Sequence, residues 1–158
     1  MIKLLLKAED IPTITGFNGN IDIDALNPSI NVAQTMHIKR ILGTDLYTKI
    51  YNDYKNNALS GNYLTIYNDY VVYMLAFFSS SIYLSWSTIK TTNSGSYKIW
   101  VDGSSNATQN EVNILGKNNE SIAISYENQF YEFMKTINIP EYITQKLENN
   151  KTNLIPWY

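Results

Sequence analysis

The run from Tyr63 to Ile89, YLTIYNDYVVYMLAFFSSSIYLSWSTI, constrains this chain more than any other stretch. From Tyr70 to Ile89 it has no charged side chain, and no other segment is as long, as apolar or as aromatic. Such a run is either the central helix of a bundle or a membrane span. A span needs about 20 predominantly apolar residues, and this run has that length. However, Ser79, Ser80, Ser81, Ser85, Ser87 and Thr88 dilute its second half, and only Asp69 and Lys90 flank the uncharged part. No cluster of positive charge sets an orientation in a membrane. Ile66, Tyr70, Tyr73, Phe77, Ser81 and Leu84 recur at helical spacing, as one buried stripe would. The serines are small enough to let another helix come close. The pattern favours a core helix; a small integral membrane protein spanning at residues 70–89 is the alternative.

The chain has 158 residues, which suits a single domain over 1–158. Its 13 Tyr, 5 Phe and 3 Trp supply a core, and tyrosines also suit interfaces where one end is buried and the other wet. Without cysteine there is no disulfide framework, thiolate zinc site or cysteine nucleophile. The net charge of −2 and the single arginine, Arg40, argue against a tight grip on nucleic-acid phosphates or base edges. The opening MIKLLLKAED is too short for a signal peptide and lacks a cleavage site.

Residues 1–26 read as an extended N-terminal arm. Ile11-Pro12-Thr13-Ile14 and Ile21-Asp22-Ile23-Asp24 alternate, with the hairpin signal Asn18-Gly19 between them. Asn18, Asn20, Asp22 and Asp24 have the alternation of a calcium loop. Its sixth and twelfth positions would be Ile23 and Ser29 instead of Gly and Glu, so a turn and strand is the preferred reading and no metal site is expected.

A helical bundle is expected over residues 27–139. Asn27-Pro28 opens a first helix that carries Ile30, Ala33, His37 and Ile41 on one face and ends at Gly43. Lys39 and Arg40 read as a solvated surface pair, with a contact to a neighbouring molecule as the alternative. Thr44 caps a second helix with Leu46, Tyr47, Ile50, Tyr51 and Tyr54 inward. The third is the Tyr63 to Ile89 run. Residues 91–107 break the pattern and hold a strand candidate at Ser96 to Val101. A fourth helix opens at a Thr108/Glu111 capping box, weakened at Gly116 to Asn119. It carries Ile122, Tyr126, Phe130, Phe133 and Ile137 as its stripe and stops at Pro140. Residues 140–158 form an extended C-terminal tail whose apolar tip, Leu154, Ile155, Pro156, Trp157 and Tyr158, suits docking onto a partner.

No catalytic or cofactor-binding constellation is readable. His37, the one histidine, lies among apolar positions with no nucleophile placed beside it by motif, and Gly116 to Ser121 lacks the phosphate-loop pattern. Paired carboxylates that meet only in space leave an unrecognised small enzyme as a further alternative. The expectation is no enzyme and no cofactor.

The segment from Ile21 to Tyr54 resembles the opening of the head-to-tail connector (adaptor or neck ring) proteins of tailed bacteriophages. The matching elements are Asn20-Ile21-Asp22-Ile23-Asp24, Pro28, Ile30, Ala33-Gln34, Leu42-Gly43 and Leu46-Tyr47. A central aromatic helix, a Thr-Ser-Gly type loop at Thr91 to Gly95, an aromatic last helix and Pro140-Glu141-Tyr142 continue the pattern. The resemblance implies a mainly α, four-helix bundle-like adaptor domain without enzymatic activity. It also implies a ring of copies of the chain, commonly about twelve, in the virion neck at the head-tail junction. That ring docks on the portal protein and joins it to the next ring or tail component, and DNA passes through the lumen without specific binding. The family's C-terminal segment often grips the portal, which would be the role of Leu154 to Tyr158. The strand Tyr97, Lys98, Ile99, Trp100 and Val101 is the first choice for pairing between subunits; a hairpin folded on its own bundle is the alternative. Synthesis in the host cytoplasm and no membrane partner complete the expectation.

Overall fold

A computed structural model describes residues 3–17, 23–87, 90–92, 95–97 and 109–142. These residues are mainly helical. Helix α1 covers Asp10–Thr15. Helix α2 runs through residues 23–42: α-helical over Ile23–Val32, π-helical over Ala33–Ile38 and α-helical again over Lys39–Leu42. Helix α3 is Thr44–Lys55. Helix α4 occupies residues 61–87, with a π-helical turn at Tyr67–Val71 between Gly61–Ile66 and Val72–Ser87. Strands β1 (Lys90–Thr92) and β2 (Gly95–Tyr97) pair antiparallel, with Lys90 opposite Tyr97. Helix α5, Gln109–Thr136, is the longest described element.

Helix α4 is the centre, and α1, α2 and α5 all pack on it. Met74, Leu75, Ala76, Phe77, Phe78, Ser79 and Ser80 are buried in succession. A helix buried on every side belongs inside a bundle. Among the described residues no helix is long and apolar enough to cross a membrane. The expected single stripe is corrected here, because Tyr73 is 37% exposed while Val71, Met74 and Leu75 are fully buried. The turn at Tyr67–Val71 holds extra chain. One inserted residue rotates everything after it by about 100°, so a stripe drawn from Ile66 at regular spacing loses register beyond it.

The extended arm over residues 1–26 is also corrected. Leu5, Leu6, Ala8 and Ile11 are buried in the common core, and Asp10–Thr15 is helical. Pro12 is the third residue of α1, where its missing N–H falls among those without an intrahelical acceptor. Gly16 then closes the helix in the left-handed region at φ 71°, donating its N–H to Pro12 O at 3.0 Å. Helix α2 already includes Ile23, so Asn27-Pro28 lies inside it instead of opening it. The extra turn sets Leu26 fully inside the core. The Asn18-Gly19 hairpin signal and Asn20 to Asp22 lie outside the described residues.

Gly43 separates α2 from α3 with φ 78°, a backbone state that favours glycine. On α3, Leu46 and Ile50 are buried, with Tyr47, Tyr51 and Tyr54 half-buried beside them. On α5 the buried line is Gly116, Asn119, Ala123, Glu127, Phe130 and Met134. The predicted stripe shares only Phe130 with that fully buried line; Ile122 is 39% exposed. The expected weak stretch at Gly116 to Asn119 is continuous helix. A Cβ at Gly116 would meet Ser81 O at 3.8 Å and Leu84 Cβ at 4.0 Å, so this position faces α4 closely but not tightly.

Candidate interaction surface

Two polar devices fix the helices that present this surface. The first holds the N-terminal segment. Gln34, fully buried, accepts the Leu5 N–H on Oε1 at 2.7 Å and donates from Nε2 to Lys3 O at 3.3 Å and to the Tyr47 hydroxyl at 3.0 Å. The Tyr67 hydroxyl donates to Leu5 O at 2.7 Å, and the Tyr51 hydroxyl accepts the Lys3 N–H at 3.1 Å. The Gln34 amide thus bonds the chain at residues 3 and 5 as a neighbouring strand would. Gln34 and Tyr67 each sit in one of the π-helical turns. Burial pushes the Tyr67 and Tyr47 hydroxyls above their ordinary range, so both remain protonated hydrogen-bonding groups.

The second device joins α2 to α5. Arg40 meets Glu127 with two parallel bonds, at 3.0 and 3.1 Å. The Tyr131 hydroxyl donates to the same carboxylate at 2.8 Å. The bond to Glu127 raises the Arg40 pKa further, and burial followed by Glu127 pushes Tyr131 up to about 12. One turn before Arg40, His37 stacks on Phe78 of α4 with ring centroids 4.1 Å apart. Burial, then the Arg40 charge, lowers the His37 pKa. Lys39 and Arg40 are both exposed, as a solvated pair would be, and Arg40 in addition ties α2 to α5 through Glu127.

On the other flank of the α4–α5 pair lies an aromatic seam. Tyr73 stacks on Tyr126 at 4.8 Å and 8°. Tyr70 stacks on Phe133 at 5.3 Å and meets Phe130 edge-on at 6.0 Å. Phe77 adds a further contact to Tyr126 at 6.2 Å. These are residues that the regular spacing in both helices singles out, and the structure brings them together beside the core, with Tyr70, Tyr126 and Phe133 half-buried and Tyr73 exposed next to the buried Phe77 and Phe130. Ile122 extends the seam, and a shallow groove beside it is lined by Tyr70, Ser125, Gln129, Glu132 and Phe133. Amphipathic aromatic rings that are half-exposed and uncharged are the composition of a protein–protein contact.

The Pro140-Glu141-Tyr142 element packs back on the bundle. Glu141 accepts a hydrogen bond from the Tyr63 hydroxyl at 2.9 Å, and Tyr142 meets Phe130 edge-on at 5.8 Å. Of the predicted inter-subunit strand, Tyr97 lies in β2 and pairs with the chain's own β1. Lys98, Ile99, Trp100 and Val101 lie outside the described residues, as do Leu154, Ile155, Pro156, Trp157 and Tyr158 and the Thr108 cap. Among the described residues, no three His, Asp or Glu side chains converge as a metal site would require.

The chain belongs to a family of unknown function (DUF6712), whose family model matches residues 38–152. The match runs from the end of the π-helical turn in α2 through α3, α4 and α5. No curated protein and no solved structure matches the chain.

Proposed function

We propose that this chain is a structural virion protein, a non-enzymatic subunit of a head-to-tail adaptor ring. The ring docks on the portal vertex and joins the capsid to the tail, leaving a channel for DNA. The observation that carries the reading is the resemblance of residues 21–54 to the opening of the phage connector family. The helical architecture is compatible with it. A ring requires each subunit to offer two different faces, one to each neighbour. The aromatic seam and the outer side of α2 are two such faces. Near-neutral charge, with the lone arginine engaged by Glu127, suits a lumen along which DNA slides without being held. The segment from Tyr97 to Val101 and the tip at Leu154 to Tyr158 are the proposed contacts to a neighbouring subunit and to the portal.

The test is to mix the purified chain with the portal protein of the same virus and examine the product by native mass spectrometry and electron microscopy. The expected product is a portal carrying a ring of this chain. A chain that stays monomeric with portal present, and is absent from virions, overturns the reading. A monomer in isolation does not, since the contacts can form on the portal template.

A further inference from the structure

We infer that the aromatic seam is the docking site for the α2 outer face of a second copy of this chain. The inference rests on the ring reading and assigns the two faces that meet. His37 on Phe78 and Arg40 on Glu127 place α2 on one flank of the α4–α5 pair. Phe78 and Tyr73 are five residues apart on α4, about 140° around the helix, and the Tyr73–Tyr126 stack accordingly lies on the opposite flank. The two faces therefore cannot meet within one copy, and a copy that uses one still presents the other. That is the arrangement of a heterologous contact, which closes into a ring or continues as a filament.

The faces match in chemistry and in spacing. The α2 face carries Met36, 65% exposed, and one turn later the exposed Lys39. The seam carries Gln129 and, at the same three-residue spacing, the exposed Glu132, with Tyr70 and Phe133 beside them. A Met36 side chain laid on Tyr70 and Phe133 would make the sulfur–aromatic contact that thioethers favour. Lys39 would then stand over Glu132, which in the single copy pairs with Lys135 on the surface. The knob and base on one face thus meet a groove and an acid on the other, the complementarity that fixes register.

The chain has no cysteine, so cross-linking reports the contact directly. Met36→Cys and Gln129→Cys are made singly and together, and oxidised both in the purified protein and with portal present. The double variant is expected to give a ladder of products beyond the dimer. A mixture of the single variants should give mixed dimers, in excess over those from either alone. Lys39→Glu in the double variant should deplete the ladder several-fold, and adding Glu132→Lys should restore it. A ladder without any ring on the portal keeps this contact and removes the connector reading. A ring on the portal without a ladder removes the contact and keeps that reading. Symmetric dimers from Met36→Cys alone, or no cross-linked product in either setting, overturn the inference.

Discussion

Leu5 donates its backbone N–H to the buried side-chain amide of Gln34 at 2.7 Å, so a helix side chain takes the place of a neighbouring strand. The N-terminal segment is thereby part of the core, with Leu5 fully enclosed. Substituting Gln34→Ala removes the acceptor for Leu5 and the donor to Lys3 O and Tyr47 together. A buried N–H left unpaired costs about 1–3 kcal/mol, and the lost packing adds to it. A loss of about 2–4 kcal/mol in urea unfolding is expected. Amide exchange should accelerate first at Leu5 and Leu6. Unchanged protection at Leu5 in the variant would show that Gln34 does not hold the segment.

The Arg40–Glu127 pair links α2 to α5, with Arg40 about half-exposed and Glu127 nearly enclosed. Solvent screening at the arginine limits what the pair contributes, while the two-point geometry favours arginine over lysine. Arg40→Lys should therefore cost about 0.5–1 kcal/mol. A double-mutant cycle between Arg40→Ala and Glu127→Gln should give a coupling of about 1 kcal/mol. A coupling indistinguishable from zero would mean that the helices are held by apolar packing alone.

His37 faces Phe78 of α4, Arg40 of its own helix and Glu120 and Glu127 of α5. Burial and Arg40 lower its pKa below 6.5, with the two glutamates opposing. The folded state thus favours the neutral ring. Its contribution is fully present above pH 6.5, the ordinary value, and is lost as the pH falls through the lower folded value. His37→Phe keeps a ring on Phe78 and removes the titration. Comparing urea midpoints at neutral and mildly acid pH, wild type should lose more stability than the variant. Parallel losses would remove the titration from His37.

Gly116 is a helix-interior glycine on the buried side of α5, with ordinary van der Waals space for a Cβ against Ser81 and Leu84. Alanine is favoured over glycine by about 1 kcal/mol in a helix interior. Gly116→Ala should raise stability by about 0.5–1 kcal/mol in chemical denaturation. A destabilised variant would mean that α4 and α5 approach more closely than these distances allow.

The central helix, the helix pair at Gly43 and the long last helix were all legible, because charge-free runs, turn residues and apolar spacing are local signals. What was not legible came from long-range partners. Gln34 and Glu127 are polar residues at buried positions, and their partners Leu5 and Arg40, 29 and 87 residues away in the sequence, explain why they are tolerated there. The π-helical turns broke the regular spacing on which the stripes were drawn. Apolar periodicity found residues that meet, Tyr70 and Tyr73 with Tyr126 and Phe133. It could not tell a core from a half-exposed seam, because aromatic residues serve both.

The apolar tip Leu154 to Tyr158 follows a polar stretch, GluAsnAsnLysThrAsn at residues 148–153, that has little to bury. Phe130, Met134 and Ile139 lie in the described core on the C-terminal side, and Glu141 and Tyr142 are anchored to Tyr63 and Phe130. If the tip serves a partner, deleting residues 154–158 should leave the unfolding midpoint within about 0.5 kcal/mol of wild type. Docking to the portal should weaken, since aromatic anchors such as Trp157 and Tyr158 carry binding energy out of proportion to their number. Sedimentation of the truncated chain with portal, beside a Trp157→Ala variant, separates the two effects. Equal co-sedimentation of the truncated and full chains would assign portal docking to another surface, and a large loss of stability would make the tip part of the fold.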